Sequence, residues 1–459
     1  MTLSDLDKQY LWHPFTPSER WLDPAFEPIV ITEGEGSWLI DEKGEKYLDG
    51  NSSIWTNLHG HRHPKINAAI KKQLDRIAHS SFLGLTNDLA PGLAEQLIGL
   101  ASTPKDSLAR CFFSDDGSTA IEAALKIVYQ YFQQNGQPER KTFVSLGSAY
   151  HGDTTGAMSV GHSPLFHHSY RGMLFPAEEV MSPYCYRCPF NTAKPEKHDA
   201  RACRKCNWEC VDLVENKFEE LGGSSAAWVI EPRVQGAAGF IMHPEGYLEK
   251  TSRIAQSHGA KVILDEVMTG FDRTGSPFAF QKENVQPDLV ALAKGLSGGY
   301  LPLAATLVTE ELFEGFRGDS TRTFFHGHSY TGNALGCAAA LASLEILQSP
   351  ECKVRQQALE QVLKKSHDLF WQLEYVGDVR QEGCILAIEL VQDFQIRRAF
   401  DPARRVGVEV CRHAAEHGLL TRPVGDVLLL MPPYSTTESE AQQMIDALYK
   451  AIQSTFNHG

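Results

Sequence analysis

Short apolar runs of four or five residues recur along this chain with helical stretches between them, and that alternation limits the fold more than any other feature. They are Arg110-Cys-Phe-Phe113, Thr142-Phe-Val-Ser-Leu146, Ala226-Ala-Trp-Val-Ile230, Ala260 to Leu264, Leu289 to Ala293 and Ala304-Ala-Thr-Leu-Val308. Strand-sized runs separated by helices predict βαβ units and a largely parallel sheet buried on both faces, an α/β fold. Between the first two runs, Ile121, Ala124, Leu125 and Val128 recur at helical spacing, as on a helix packed against the sheet. After Gly332 an Ala-rich helix (Asn333 to Gln348) leads into a tail with short alternating strands near Gly383 to Val391 and Asp426 to Met431. The expected organisation is a large domain over 61–330 and a smaller α+β domain over 331–459. Residues 1–60 join the small domain through strands at Ser37-Trp-Leu-Ile40 and Lys46-Tyr-Leu48, and 183–212 form a Cys-rich insertion.

Composition narrows the classes of function. A formal charge of −14 argues against a nucleic-acid surface, which would gather Lys and Arg. The amino terminus lacks the basic flank and apolar core of a signal peptide, and no stretch approaches a membrane span, so a cytoplasmic protein without membrane partners is expected. Of ten cysteines, five (Cys111, Cys337, Cys352, Cys384, Cys411) stand singly in apolar or helical contexts and read as small buried hydrophobes.

Lys294 ends one apolar run and opens the Gly-rich turn Lys294-Gly-Leu-Ser-Gly-Gly299, while Asp265 and Glu266 end another. A lysine dry on one side and mobile on the other suits a Schiff base with an aldehyde. A carboxylate at the next strand end suits the ring nitrogen of pyridoxal 5'-phosphate, which must stay protonated if the ring is to accept electrons. Alone, a lysine at a strand end is more often a solvated strand cap, and an acidic pair there more often a helix start. Ser114-Asp-Asp-Gly-Ser-Thr119 leaves a strand and enters a helix, where free N–H groups bind phosphate, although Gly-Ser-Thr also serves as a plain N-cap. Tyr150-His151 offers an aromatic or imidazole cover for a flat ring, Glu231 follows another strand, and His326-Gly-His-Ser-Tyr-Thr-Gly-Asn333 is a second hydroxyl-bearing turn before a helix. Ligands of open α/β sheets collect at the strands' carboxyl ends, where these segments converge.

Leu264-Asp-Glu-Val-Met-Thr-Gly-Phe-Asp-Arg-Thr-Gly275, followed by Ala293-Lys-Gly-Leu-Ser-Gly-Gly299, resembles the signature of class III aminotransferases, and the likeness runs from Gly34 to the end. It implies the pyridoxal-phosphate transferase fold of type I, Lys294 as Schiff-base lysine and proton shuttle, and Asp265 on the ring nitrogen. It further implies Gly117 and Ser118 on the phosphate, Tyr150 stacked on the ring, Glu231 near the substrate, and a homodimer in which His328 and Ser329 reach the neighbouring subunit's phosphate. Leu11-Trp-His-Pro-Phe-Thr16, Asn51 to His61, Ala149-Tyr-His-Gly-Asp-Thr154 and Thr421-Arg-Pro-Val-Gly425 are most similar to the biotin-pathway branch, which aminates 8-amino-7-oxononanoate to 7,8-diaminononanoate. That likeness implies Arg422 as clamp of the substrate carboxylate, with Phe15, Trp55, Tyr150 and Gly327 lining the substrate channel. Unpaired from the resemblance, Arg422 would be expected to meet an acidic neighbour and the aromatics to be core.

Members of that branch using S-adenosylmethionine as donor usually carry Tyr where Phe15 stands and Trp where Ile54 stands, and others use lysine, so both donors stay open. The near alternative is another class III enzyme for an ω-amino acid or diamine. An aminomutase and a non-catalytic regulatory domain are more distant; the latter lacks a preceding DNA-binding segment. No metal is assigned to the catalytic site. Cys185-Tyr-Arg-Cys188, Cys203-Arg-Lys-Cys206 and Cys210 leave two readings: a structural zinc or iron–sulfur site remote from catalysis, since paired CxxC resembles a zinc knuckle, or plain thiols, since five cysteines exceed four ligands.

Overall fold

The computed structural model describes residues 1–103 and 108–457. Its strands, in chain order, are Ile31–Glu35 (β1), Trp38–Asp41 (β2), Lys46–Asp49 (β3), Leu108–Ser114 (β4), Thr142–Leu146 (β5), Glu178–Val180 (β6), Ser225–Ile230 (β7), Val234–Gln235 (β8) and Ile241–Met242 (β9). They continue with Lys261–Asp265 (β10), Leu289–Leu292 (β11), Ala304–Thr309 (β12), Val376–Glu382 (β13), Ile385–Leu390 (β14), Leu419–Leu420 (β15), Pro423–Val424 (β16) and Val427–Leu430 (β17).

Seven strands form the central sheet in the order β4-β12-β11-β10-β7-β5-β6, with β12 alone antiparallel to its neighbours. Every residue of β7, β11 and β12 is buried, as expected of strands covered on both faces. One cover is the helix Gly117–Gln134, whose Ile121, Ala124, Leu125 and Val128 pack against Phe143, Ala227, Ile263 and Ala291. Asp116 starts this helix by accepting from the Thr119 N–H in a capping box.

Two smaller sheets flank the large one. β1-β2-β3 is completed by β15, Leu419 pairing with Leu48, so the amino-terminal strands and the tail share one sheet. β13-β14-β17-β16 forms the other. The Gly383 to Val391 segment, expected to be one half-buried strand, is the turn and second arm of the β13–β14 hairpin, and all of Ile385–Leu390 is buried. Alternation is absent because both faces are covered: Ile385 and Ala387 meet the Trp55 cluster, while Leu386 and Ile388 meet the main core. The Ala-rich helix Ala334–Leu347 packs on the Lys294–Ser297 turn and on the helices Pro64–Leu74 and Ala90–Leu100.

The Cys-rich insertion has no regular structure before the helix Glu209–Leu221. Asn191 ties its two arms together, donating to the Cys185 carbonyl at 2.8 Å and accepting from the Lys205 N–H at 2.9 Å. All ten cysteines are free thiols, and among the described residues no group of three or more His, Cys, Asp or Glu side chains is placed to hold a metal ion, so the zinc-knuckle reading finds no ligand set.

Candidate active site

Lys294 follows β11 with its backbone in the left-handed region (φ +47°), a conformation that non-glycine residues hold only when their surroundings force it. Its Nζ lies 4.9 Å from the centre of the Trp55 ring. Burial pulls the Lys294 pKa below the usual lysine value, with Asp265 and Glu231 opposing. Trp55 itself sits on a strained segment: Ser52, Ser53 and Trp55 all have positive φ, fixed by Ser52 donating to the Met431 carbonyl and the indole donating to Asn51 Oδ1.

At the end of β10 the two acids part. Asp265 faces a cavity, its Oδ1 accepting from the Val267 N–H and its Oδ2 lying 2.7 Å from His151 Nδ1. Glu266 turns into the core, where Thr269 and the Phe280 N–H satisfy it and burial pushes its carboxyl to about 7. Burial alone would depress His151, but the hydrogen bond and charge of Asp265 outweigh it and raise the imidazole pKa. The buried Nε2 of His151 has no hydrogen-bond partner among the described residues. Glu231 accepts from the N–H groups of Gly236 and Tyr150, and burial lifts its carboxyl to about 7.

These groups open on one cavity of about 690 Å³ whose walls include Trp55, Gly117, Ser118, Tyr150, Asp265 and Lys294. At one end of it lies the start of the helix Gly117–Gln134, pressed close to two neighbours. A Cβ on Gly117 would stand 2.6 Å from Val267 Cγ1, and one on Gly152 2.1 Å from Ser118 Oγ. Ser118 is held by Thr154, whose N–H donates to its Oγ at 3.0 Å. Tyr150 donates to Asp153 at 2.7 Å. Asp153 was missed in the sequence, although it stands three residues on in the same Tyr-His-Gly-Asp run. Amine, carboxylate, free helix N–H groups and an aromatic wall around one cavity fit pyridoxal 5'-phosphate.

Other candidate residues lie outside the cavity wall of this single chain. Phe15 is 59% exposed and packs edge-on against Phe166, which packs in turn against Tyr150. Gly327 and Ser329 are exposed, and His328 Nε2 lies 3.6 Å from Asp115 at the rim. Arg422 is exposed between β15 and β16, two residues before Val424, which packs on the Trp55 cluster. His151, read as a possible cover for a flat ring, lines the cavity and meets Asp265 through Nδ1.

Comparison with known proteins places the chain. Residues 20–452 match the model of the family described as aminotransferase class-III. The adenosylmethionine-8-amino-7-oxononanoate aminotransferase of Geobacter sulfurreducens is 45% identical over 455 residues, 99% of this chain and 98% of that protein. The crystal structure of the enzyme of that name from Methanocaldococcus jannaschii is 39% identical with a TM-score of 0.90, covering 98% of each chain. A PLP-bound amine transaminase from an uncultivated Pseudomonas species is 33% identical with a TM-score of 0.89, over 97% of this chain and 98% of that one. Similarity over nearly the whole length, around a partly buried lysine and a strand-end aspartate facing one cavity, makes this chain a member of the class III aminotransferases.

Proposed function

We propose that this aminotransferase converts 8-amino-7-oxononanoate to 7,8-diaminononanoate, a step of biotin biosynthesis, with pyridoxal 5'-phosphate as cofactor and S-adenosylmethionine or lysine as amino donor. The observation that carries the reading is the meeting of Lys294, Asp265 and the helix start at Gly117 in one cavity, within a chain so similar to enzymes named for that acceptor. When bound, the cofactor supplies an electron-withdrawing ring that takes up the electron pair of the substrate's Cα–H bond. Lys294 holds the cofactor and, once released, moves the proton; its burial-lowered pKa leaves more of the amine neutral and able to act as base. Asp265, held by His151, faces the ring nitrogen. Gly117 and Ser118 hold the phosphate, and Tyr150 covers the ring.

Phe15, Trp55, Gly327 and Arg422 belong to the substrate channel, Arg422 swinging in as carboxylate clamp from its exposed bend. A homodimer accompanies this reading: the exposed Phe325 and Tyr330 flank His328 and Ser329 in the chain, and Leu83 and Leu85 are exposed as well, apolar surface that a second copy would cover while His328 and Ser329 reach its phosphate site. Ten free thiols suit a cytoplasmic setting. The relatives' names favour S-adenosylmethionine; Phe15 and Ile54, both exposed and without a phenol or indole, favour lysine.

Mixing the pyridoxal-loaded protein separately with S-adenosylmethionine and with L-lysine, and following the visible absorbance of the bound cofactor, tests this. Bleaching by one donor, reversed by 8-amino-7-oxononanoate, is expected. Bleaching reversed only by the aldehydes corresponding to 4-aminobutyrate or putrescine would move the enzyme to the ω-amino acid and diamine group, a reading the amine-transaminase TM-score of 0.89 keeps alive.

A further inference from the structure

Arg380, wholly buried in β13, spends all five guanidinium N–H donors. Nε donates to the Phe240 carbonyl at 2.8 Å and Nη2 to the Gly239 carbonyl at 2.6 Å. Nη1 serves Asp378 at 2.9 Å and Glu389 at 2.8 Å, and Nη2 also serves the Tyr184 hydroxyl at 3.2 Å. Glu389 is shared with Arg187, at 2.7 Å, and with Tyr184, so the Cys-rich insertion grips the same carboxylate from its other side. The two carbonyls that Arg380 holds belong to residues of positive φ, +87° at Gly239 and +52° at Phe240, and an aromatic residue keeps that conformation only under restraint. Phe240 packs edge-on against Trp55 at 5.3 Å, and the same turn brings Gly236 against the Trp55 ring, over which Lys294 Nζ stands.

We propose that Arg380 is a positioning residue for substrate: braced by Tyr184 and Arg187 of the insertion, it locks the Gly236–Phe240 turn that fixes Trp55 as the cavity wall facing Lys294. The insertion thereby serves the active site without touching it. Arg380→Lys keeps the charge near Asp378 and Glu389 but loses the fork that spans the two carbonyls. Donor and acceptor use the same wall in a two-step transfer, so KM for both is expected to rise about tenfold or more, while the absorbance of the bound cofactor stays as in the wild type. Acting through Trp55, Arg380→Lys and Trp55→Phe together are expected to cost less in KM than the two single effects multiplied.

The proposal rests on the assigned acceptor only for the second half-reaction. If wild-type enzyme ignores 8-amino-7-oxononanoate, that assignment fails, yet the donor half-reaction still decides the role of Arg380. A lowered melting temperature with unchanged KM values, or strictly multiplicative effects in the double variant, would overturn it. Should Arg380→Lys not fold, Tyr184→Phe removes one brace only: a smaller rise in KM supports the proposal, and an unchanged KM refutes it.

Discussion

The cavity edge and the seam between the insertion and the β13–β14 hairpin both bury several charges, and they treat them in opposite ways. Along the seam the two central carboxylates are each held by more than one cation, although Asp378 Oδ1 has no partner among the described residues. Glu382 takes Arg201 at 3.0 Å, Arg233 at 2.9 Å and Lys282 at 2.6 Å, while Glu389 takes Arg380 and Arg187. At the cavity Lys294 has an aromatic face rather than a carboxylate, His151 Nε2 has no hydrogen-bond partner among the described residues, and Ser52, Ser53, Trp55 and Lys294 all hold positive φ. Buried charges without full partners cost stability, so they persist where a ligand completes them. The seam is finished by the fold; the cavity is finished by what binds in it.

Substitutions at the cavity are therefore expected to cost turnover more than stability. Lys294→Ala is the largest case: steady-state transamination should fall on the order of 10⁴-fold, as loss of a general acid–base predicts, with the thermal transition little changed. Retained turnover would remove the lysine from the mechanism. Asp265→Asn should lower kcat by about 10²–10³-fold, the scale of a lost preorganised electrostatic contact. Because Asp265 is what holds the His151 imidazole above its burial-depressed value, the same variant should discharge that histidine. An imidazole titration by NMR that stays high in Asp265→Asn would break the link between the two residues.

At the seam the expected effects reverse. Glu382→Gln strands three cations around a neutral amide and should destabilise the protein by about 3–5 kcal/mol, while kcat per folded molecule changes little. The wild type carries a pH signature of the same group. Burial would raise the Glu382 carboxyl, but Arg233, Lys282 and Arg201 outweigh it and lower its pKa from 4.5 to about 2. A carboxyl depressed in the folded state contributes stability fully above its unfolded value and loses it as pH falls towards the folded one. The contribution, about 3 kcal/mol, should thus vanish between pH 4.5 and 2 in the wild type and be missing from Glu382→Gln throughout. Parallel melting temperatures for the two proteins across that window would show that Glu382 is not the seam's anchor.

The two regions also differ in how much of them the sequence discloses. The apolar runs that carry Lys294 and Asp265 are visible because strand hydrophobicity and chemistry-bearing residues lie next to each other in the chain. Six strands of the central sheet and its helix are legible for the same reason, whereas the short edge strand Glu178–Val180 is not among the runs read. The seam joins Tyr184 to Glu389 and Arg201 to Glu382 across about two hundred residues, and nothing local in either segment announces the partner. Gly383 to Val391 misleads in a related way: periodicity reports one covered face, whereas this hairpin has two. His151 was visible as a residue but not as the partner of Asp265, since only the sheet's strand order sets their strands close together.

The smallest expected effect concerns the thiols beside the seam. Cys185 and Cys210 are buried, and burial pushes both thiols to about 12, with neighbouring thiols adding to the rise. Cys188, Cys203 and Cys206 are partly exposed. Reactivity follows thiolate and access, so native-state alkylation read by mass spectrometry should label the latter three well before the former two. Because these side chains take no part in the bonds around Glu389 and Glu382, activity and melting temperature should shift only slightly on labelling. Soaking with a chelator beforehand should change nothing. If instead all five were spared until chelator was added, a metal would be holding them, and the insertion would owe its order to that ion rather than to Asn191 and the ion pairs of the seam.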